Sequence, residues 1–204
     1  MERLPAPPRY DGLAFLPSSG AYILAANHYQ RKGLWILHTA AVLTRAVATR
    51  QTPVLDPPVR WMVTANWPPW RLGPFTIPSP GDRLLPKVAG ALHCYPVSFA
   101  GSNPAFTAQS VRRILRDVKQ DPRPIGIFPE GVAGAAGVLT DPLPGVDRLL
   151  AHLGKAGLPL VPCGIHEEGR QLVARFGEPI PGARLAAVPD AARLAMEQVA
   201  ALLG

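Results

Sequence analysis

The segment Ala21-Tyr22-Ile23-Leu24-Ala25-Ala26-Asn27-His28 begins as an uninterrupted apolar run and ends in two polar side chains. A short apolar run bounded by polar residues is typical of a strand that is buried on both faces. Residues 33–48 contain few helix-breaking residues and one charge, Arg45, and they predict a largely buried helix. A strand that leads into a helix predicts an α/β layer fold, with His28 at the turn between the two elements.

Predicted strands and helices alternate along the rest of the chain. Helical spacing is clearest over 105–120, where apolar residues recur at i, i+3, i+4 and i+7: Val111, Ile114, Leu115 and Val118. The other predicted elements are strands at 92–99, 125–128, 158–165 and 172–176, a helix over 146–153, and a last helix capped by Asp190. Residues 52–86, rich in proline and tryptophan, predict a strand followed by an irregular loop.

The composition indicates a single folded domain. The chain has 204 residues, of which 48% are hydrophobic and 17% charged, with 25 prolines and two cysteines. This length suits a single domain over residues 1–204, and the apolar content excludes a disordered chain. Cys94 and Cys163 lie in apolar stretches without the spacing of a zinc site, so we expect small core residues rather than disulfide or metal chemistry.

The charge balance indicates an anionic partner. Lys and Arg total 21 against 14 Asp and Glu, for a net charge of +7. The basic residues form no run and match no known nucleic-acid reader, which argues against nucleic acid and favours lipid head groups or phosphate-bearing substrates. Residues 12–30 and 88–111 lack charge, but proline and glycine interrupt them, and the first residues show no signal-peptide pattern. We therefore expect a cytoplasmic protein bound peripherally to the inner face of the membrane.

His28 is the first candidate catalytic residue. At the start of a helix, the positive end of the helix disfavours an imidazolium, so His28 is expected to stay neutral and to accept a proton. The alternative is a polar turn residue beside a capping Asn27.

The second candidate feature is Phe128-Pro129-Glu130-Gly131, which follows a predicted strand. A carboxylate between proline and glycine lies on a rigid turn, where it can orient a hydroxyl group or a cation. The alternative is a solvated glutamate on a surface turn.

Four segments, in order, carry a family resemblance: ILAANHYQ, IGIFPEG, GLPLVPCGI and VARFGEPI. Together, across roughly residues 20–181, they resemble the glycerolipid acyltransferases, which include lysophosphatidic acid and glycerol-3-phosphate acyltransferases. The Phe-Pro-Glu-Gly block is the most specific of the four. The resemblance implies a single acyltransferase-like α/β domain with a mixed sheet flanked by helices.

The resemblance also implies a reaction. In the family a histidine deprotonates the acceptor hydroxyl, which attacks an acyl thioester; His28 matches that histidine. Residues Phe128, Pro129, Glu130 and Gly131 match the segment that binds the glycerol-phosphate part of the acceptor. Asn27, Arg31 and Lys32 are further candidate substrate contacts, the last two for phosphate, although a solvated basic segment is the alternative for them. The implied donor is acyl-CoA or acyl-carrier protein, the implied acceptor is a lysophospholipid or related compound, and no bound cofactor or metal is expected.

The chain departs from the family at two positions. The aspartate expected five residues after the histidine is Gly33, and the arginine that often closes the family's second block is missing after Pro96. Three interpretations remain open: another acid approaches His28; a backbone carbonyl or water orients it; or the protein has lost the reaction and binds lipid or acyl carrier without turnover. The candidate acids are Glu130, Asp11, Asp56 and Asp82. A thioesterase, in which His28 activates water, is a further alternative.

Apolar surfaces are the candidate membrane contacts. The helix from Gly33 onward and the loop from Trp61 to Trp70 are the two candidates, because tryptophan favours the membrane interface. A surface role is favoured for Trp67 and Trp70, whereas core packing competes for Trp35 and Trp61. The remaining histidines show no metal-binding spacing: His38, His93, His152 and His166.

Overall fold

A seven-stranded mixed sheet flanked by helices organises the chain, which confirms the α/β prediction. The computed structural model describes residues 6–64, 70–72, 75–77, 87–97, 104–132 and 138–204. The strands are β1 (Arg9–Asp11), β2 (Ile23–Ala26), β3 (Arg60–Thr64), β4 (Trp70–Leu72), β5 (Phe75–Ile77), β6 (Tyr95–Val97), β7 (Ile125–Ile127), β8 (Leu160–Glu168) and β9 (Gln171–Phe176). The described helices are α1 (Ile36–Arg50), α2 (87–91), α3 (Pro104–Gln120), α4 (Val146–Lys155), α5 (Gly182–Ala187) and α6 (Ala191–Ala201).

Strand β2 lies inside the sheet, whose order is β1-β9-β8-β2-β7-β3-β6. It runs parallel to both neighbours, with Ile23 opposite Ile125 of β7 and Leu160 of β8. Strands β8 and β9 form an antiparallel pair, which makes the sheet mixed, and β4 and β5 form a separate antiparallel pair. Because β2, β7 and β8 are parallel, the segments that follow them leave the sheet at the same edge.

The two faces of β2 contact two separate hydrophobic cores. Ile23 and Ala25 pack with residues of α3, α4 and α6, whereas Leu24 and Ala26 pack with α1. Every residue of β2 is buried, which explains its continuous apolar sequence.

Most predicted elements are found, with changes at their ends. The helices predicted at 105–120 and 146–153 correspond to α3 and α4, and the strands predicted at 125–128, 158–165 and 172–176 correspond to β7, β8 and β9. The strand predicted at 92–99 is β6, and residues 98–99 lie outside the described part of the chain, as does Trp67. The short elements β1, α2 and α5 were not predicted. Residues 52–86 were expected to form one strand and an irregular loop, but this stretch also contains the antiparallel pair of β4 and β5.

Two further local predictions need correction. Helix α1 begins at Ile36 rather than at residue 33, because residues 31–34 form a tight turn, so His28 does not lie at a helix start. Asp190 holds the predicted N-cap position of α6, but its side chain makes no capping bond, because its carboxylate accepts from the side chain of Arg193 instead. Within the described residues, no helix is long and apolar enough to cross a membrane.

Candidate active site

The candidate site lies where β2 and β7 end. Ala25 of β2 is opposite Ile127 of β7, so Asn27 and His28 leave the sheet beside Phe128. This parallel register brings together two segments that are about a hundred residues apart in the sequence.

Glu130 joins the two segments through its carboxylate. Its Oε2 accepts a hydrogen bond from the backbone N–H of His28 at 2.5 Å, and its Oε1 accepts from the backbone N–H of Thr140 at 2.6 Å. The hydroxyl of Thr140 also donates to Oε1, at 3.3 Å. Glu130 is only 2% exposed, so it is not a solvated turn residue. Both of its oxygens hold backbone groups, and its predicted contact with an acceptor stays a prediction.

Aromatic packing fixes the imidazole ring of His28. Its ring lies edge-on to Phe128, with centroids 5.6 Å apart, and Phe128 stacks on Trp61 at 4.9 Å. The indole N–H of Trp61 donates to Thr44 Oγ1 of α1 at 2.9 Å. Gly126 leaves room for this indole, since a Cβ there would lie 2.3 Å from the Trp61 ring. Trp61 is therefore a core residue of the site.

The electrostatics of His28 favour the neutral ring. Burial lowers the pKa of His28, while its own backbone and the charge of Glu130 oppose that shift. Among the described residues no group hydrogen-bonds the buried Nδ1 of His28. The sequence predicted a neutral histidine from the helix dipole, but α1 begins eight residues later, and desolvation is the cause instead.

The backbone explains why position 33 holds glycine. Arg31 and Leu34 exchange two backbone hydrogen bonds, of 3.0 and 2.9 Å, around a tight turn. Gly33 has φ of 80° in this turn, in the left-handed region where an L side chain is strained. An aspartate here would therefore strain the backbone of the turn.

No carboxylate replaces the missing aspartate within the described part of the chain. Glu130 binds the backbone of His28 rather than its ring. Asp11 pairs with Arg9 and Arg175, and Asp82 lies outside the described residues. Among the described residues no carboxylate, that of Asp56 included, bonds the buried Nδ1 of His28. The described acids therefore give no support to the interpretation in which another acid approaches His28.

Asn27 is held by strand β8. Its Nδ2 donates to the carbonyl of Ile165 at 2.9 Å, and the Ile165 N–H donates to its Oδ1 at 2.7 Å. Asn27 is buried, and both ends of its amide are bound within the protein. Its predicted contact with substrate stays a prediction.

Arg31 is bound by Glu167, a residue that the sequence analysis did not single out. The guanidinium donates from Nε and Nη2 to the Glu167 carboxylate at 2.7–2.9 Å, and the hydroxyl of Tyr29 donates to the same carboxylate at 3.1 Å. Arg31 holds the pKa of Glu167 below its ordinary value. Lys32, next in the chain, is exposed. Glu167 and Thr140 were missed because their contacts join residues far apart in the sequence.

Three of the other four histidines make local contacts. Nδ1 of His38 accepts from the Trp35 N–H at 3.1 Å, Nδ1 of His152 bonds the Arg148 carbonyl at 2.6 Å, and His166 lies 3.2 Å from Glu168. The described residues hold no group of three His, Cys, Asp or Glu side chains that could bind a metal ion.

Comparison with known proteins identifies the fold. No protein-family profile and no curated protein sequence matches the chain. The crystal structure of the 1-acyl-sn-glycerophosphate (LPA) acyltransferase PlsC from Thermotoga maritima is similar, with a TM-score of 0.64 and 16% sequence identity. The similarity covers 98% of this chain and 72% of that one. The chain therefore has the fold of a PlsC-type acyltransferase.

Proposed function

We propose that this protein is an acyltransferase that moves a fatty acyl group from a thioester to a hydroxyl group of a lipid acceptor. The acceptor class is a lysophospholipid or a related glycerol derivative, and the donor is acyl-CoA or acyl-carrier protein, with no bound cofactor. The single observation that carries the proposal is the half-buried His28 beside Phe128 and Glu130, at the sheet edge of a PlsC-type fold.

In this proposal His28 acts as the general base. A ring nitrogen accepts the proton of the acceptor hydroxyl while its oxygen attacks the thioester carbonyl carbon. The tetrahedral intermediate collapses, the C–S bond breaks, and the imidazolium returns its proton to the departing thiolate. The products are an ester and a free thiol. A positioned base is worth roughly 10²–10⁴-fold in rate.

Packing takes over part of the orienting role of the family aspartate. The edge-on contact with Phe128 limits rotation of the His28 ring, and Glu130 fixes the backbone on which the ring is carried. In the second interpretation, a water molecule or a backbone carbonyl outside the described residues would complete the orientation at Nδ1, since no described group bonds this nitrogen. An imidazole without a carboxylate partner stabilises its protonated form less, so we expect slower turnover than a histidine–aspartate pair gives.

The lack of a described partner for Nδ1 of His28 also supports a second candidate function. The buried Nδ1 of His28 has no partner among the described residues, and Gly33 stands where the family has aspartate. These observations favour a protein that binds lipid or acyl carrier on this fold without transferring the acyl group.

Thiol release from long-chain acyl-CoA and acyl-carrier protein, with and without lysophospholipids or monoacylglycerols as acceptors, separates the candidates. We expect release that depends on the acceptor, an ester product in the mass spectrum, and loss of at least 100-fold in His28→Gln. The matched control is His152→Gln, because His152 is exposed and bonds only its own helix.

Each other outcome contradicts the proposed transferase. Release without acceptor identifies a thioesterase. Lipid binding by the folded protein without any release identifies the binding protein. Full activity of a folded His28→Gln variant excludes His28 as the base.

A further inference from the structure

The Arg31–Glu167 ion pair bears on which acceptor the site takes. Arg31 lies three residues after His28, and Glu167 lies near the carboxyl end of β8, the strand that also holds Asn27. Three hydrogen bonds of 2.7–2.9 Å join the guanidinium to the carboxylate, and the hydroxyl of Tyr29 adds one more. A two-point contact of this kind uses the face of arginine that would bind a phosphate group.

Among the described residues, the charges carried by the segment after β2 and by the acids that contact it are balanced. Arg31 and Lys32 follow β2, and Glu130 and Glu167 are the two described acids that contact residues of this segment. The six residues that follow β7 in the sequence, 128–133, contain no Lys or Arg, and neither do residues 98–103 after β6. A phosphomonoester carries nearly two negative charges at neutral pH, and a site for it usually supplies an excess of cations.

Exposed apolar side chains border the same segments. Trp35 and Leu37, just after the 31–34 turn, are 66% and 70% exposed. Val132 and Val138, on either side of the undescribed residues that follow Glu130, are also exposed. These side chains suit a hydrocarbon chain next to a weakly charged head group.

We propose that Glu167 is a specificity-determining residue, which occupies Arg31 and thereby directs acyl transfer to neutral lipid alcohols, such as monoacylglycerols, rather than to phosphomonoesters. This inference rests on the proposed acyl transfer and narrows its acceptor class. The reaction is unchanged: the alcohol oxygen forms the ester bond, the thioester C–S bond breaks, and the proton passes through His28 to the thiolate.

The test compares two acceptors with the same acyl chain, monooleoylglycerol and oleoyl-lysophosphatidic acid, in neutral detergent micelles. The full chain is used, and ester products are measured by mass spectrometry to obtain kcat/KM for each acceptor. We expect the wild type to prefer monooleoylglycerol by at least tenfold. Glu167→Gln weakens the contact with Arg31, so it should shift the ratio toward the phosphate acceptor by about 10–100-fold, the effect of one charge-assisted hydrogen bond.

Three further variants test whether the effect is specific to the Arg31–Glu167 pair. Glu178→Gln is the control, because it removes the same charge from an exposed glutamate that makes no ion pair in the described part of the chain. Glu178 lies near the Leu160–Ile180 bridge, at the amino end of β8. This variant should leave the ratio unchanged. Arg31→Gln, added to Glu167→Gln, should abolish the shift, because the guanidinium is then absent. Glu167→Asp has a side chain shorter by one methylene group, so it should shift the ratio in the same direction as Glu167→Gln. It replaces Glu167→Gln in the test if that variant does not fold.

The outcomes separate this inference from the proposed function. Wild-type preference for lysophosphatidic acid overturns the inference and leaves the acyltransferase intact. A folded Glu167 variant that changes both acceptors equally, or an equal shift in Glu178→Gln, also overturns it. No ester from either acceptor overturns the proposed acyl transfer, and the inference with it.

Discussion

At the scale of single residues, desolvation governs His28. Burial lowers its pKa below the ordinary value of 6.5, so the neutral base predominates at lower pH than it would in a solvated histidine. Because activity requires the neutral ring, kcat/KM is lost as pH falls through the folded-state pKa. We expect the acidic limb of the pH profile to have its midpoint below 6.5. NMR titration of the His28 ring, assigned with His28→Gln, should give the same midpoint; a midpoint above 6.5 would contradict the role of burial.

Glu130 is the residue whose removal should cost the most stability at the site. Glu130→Ala leaves the backbone N–H groups of His28 and Thr140 without their acceptor. Each of these two unsatisfied donors costs roughly 1–3 kcal/mol, so we expect the free energy of unfolding to fall by about 2–6 kcal/mol in urea titrations. Glu178→Ala is the exposed control and should change it by less than about 0.5 kcal/mol. Equal losses in the two variants would show that the Glu130 bonds contribute little.

At the scale of elements, the 31–34 turn explains the departure from the family pattern. Gly33 has positive φ, so Gly33→Asp, which restores the family residue, should lower stability by roughly 1–2 kcal/mol and should not raise acyl transfer. Gly90→Ala is the control, because Gly90 lies in α2 without positive φ and has open space around its Cα. Thermal unfolding and thiol release measure the two effects. Increased activity in Gly33→Asp would show that the turn can accept the carboxylate and aim it at His28.

Gly126 tests the packing between strands β7 and β3. Gly126→Ala places a methyl group against the Trp61 ring, which is held between Thr44 and Phe128. We expect a loss of about 1–3 kcal/mol and a reduced kcat, because displaced Phe128 no longer supports His28. Trp61→Leu in the Gly126→Ala background should recover part of the stability. If the single variant is as stable and active as the wild type, the stack does not position His28.

The sequence predicts elements best where periodicity is strong. The apolar spacing of Val146, Leu149, Leu150 and Leu153 predicted α4, and these four residues are buried in it. The start of α1 was misplaced because an apolar pattern does not reveal that Gly33 takes positive φ in a turn. For the site, His28 and Glu130 could be selected from the sequence because each follows a predicted strand. The hydrogen bond between the Glu130 carboxylate and the His28 backbone could not be predicted, because it depends on the register of two strands that are far apart in the sequence.

At the scale of the whole molecule, net charge and exposed apolar side chains predict reversible binding to anionic vesicles. The net charge of +7 favours an anionic surface, and Trp35 and Leu37 are exposed beside Lys32. In vesicle flotation we expect binding that weakens with salt and falls several-fold in Trp35→Ala/Leu37→Ala. Leu92→Ala, an exposed apolar residue after α2, is the control. Equal binding to neutral vesicles at all salt concentrations would contradict this prediction.

The bonds between Asn27 and Ile165 also constrain strand alignment. The last backbone pair of β2 and β8 is Ala26 with Cys163, and the amide of Asn27 then bonds the peptide groups of Ile165 as a further main-chain residue would. A slip of one residue between the two strands would break both bonds and would turn the buried side chains of β2 toward the wrong faces. Asn27 thus stabilises the register between β2 and β8. The same register places the next residue, His28, so the alignment that buries the side chains of β2 also positions the candidate catalytic imidazole.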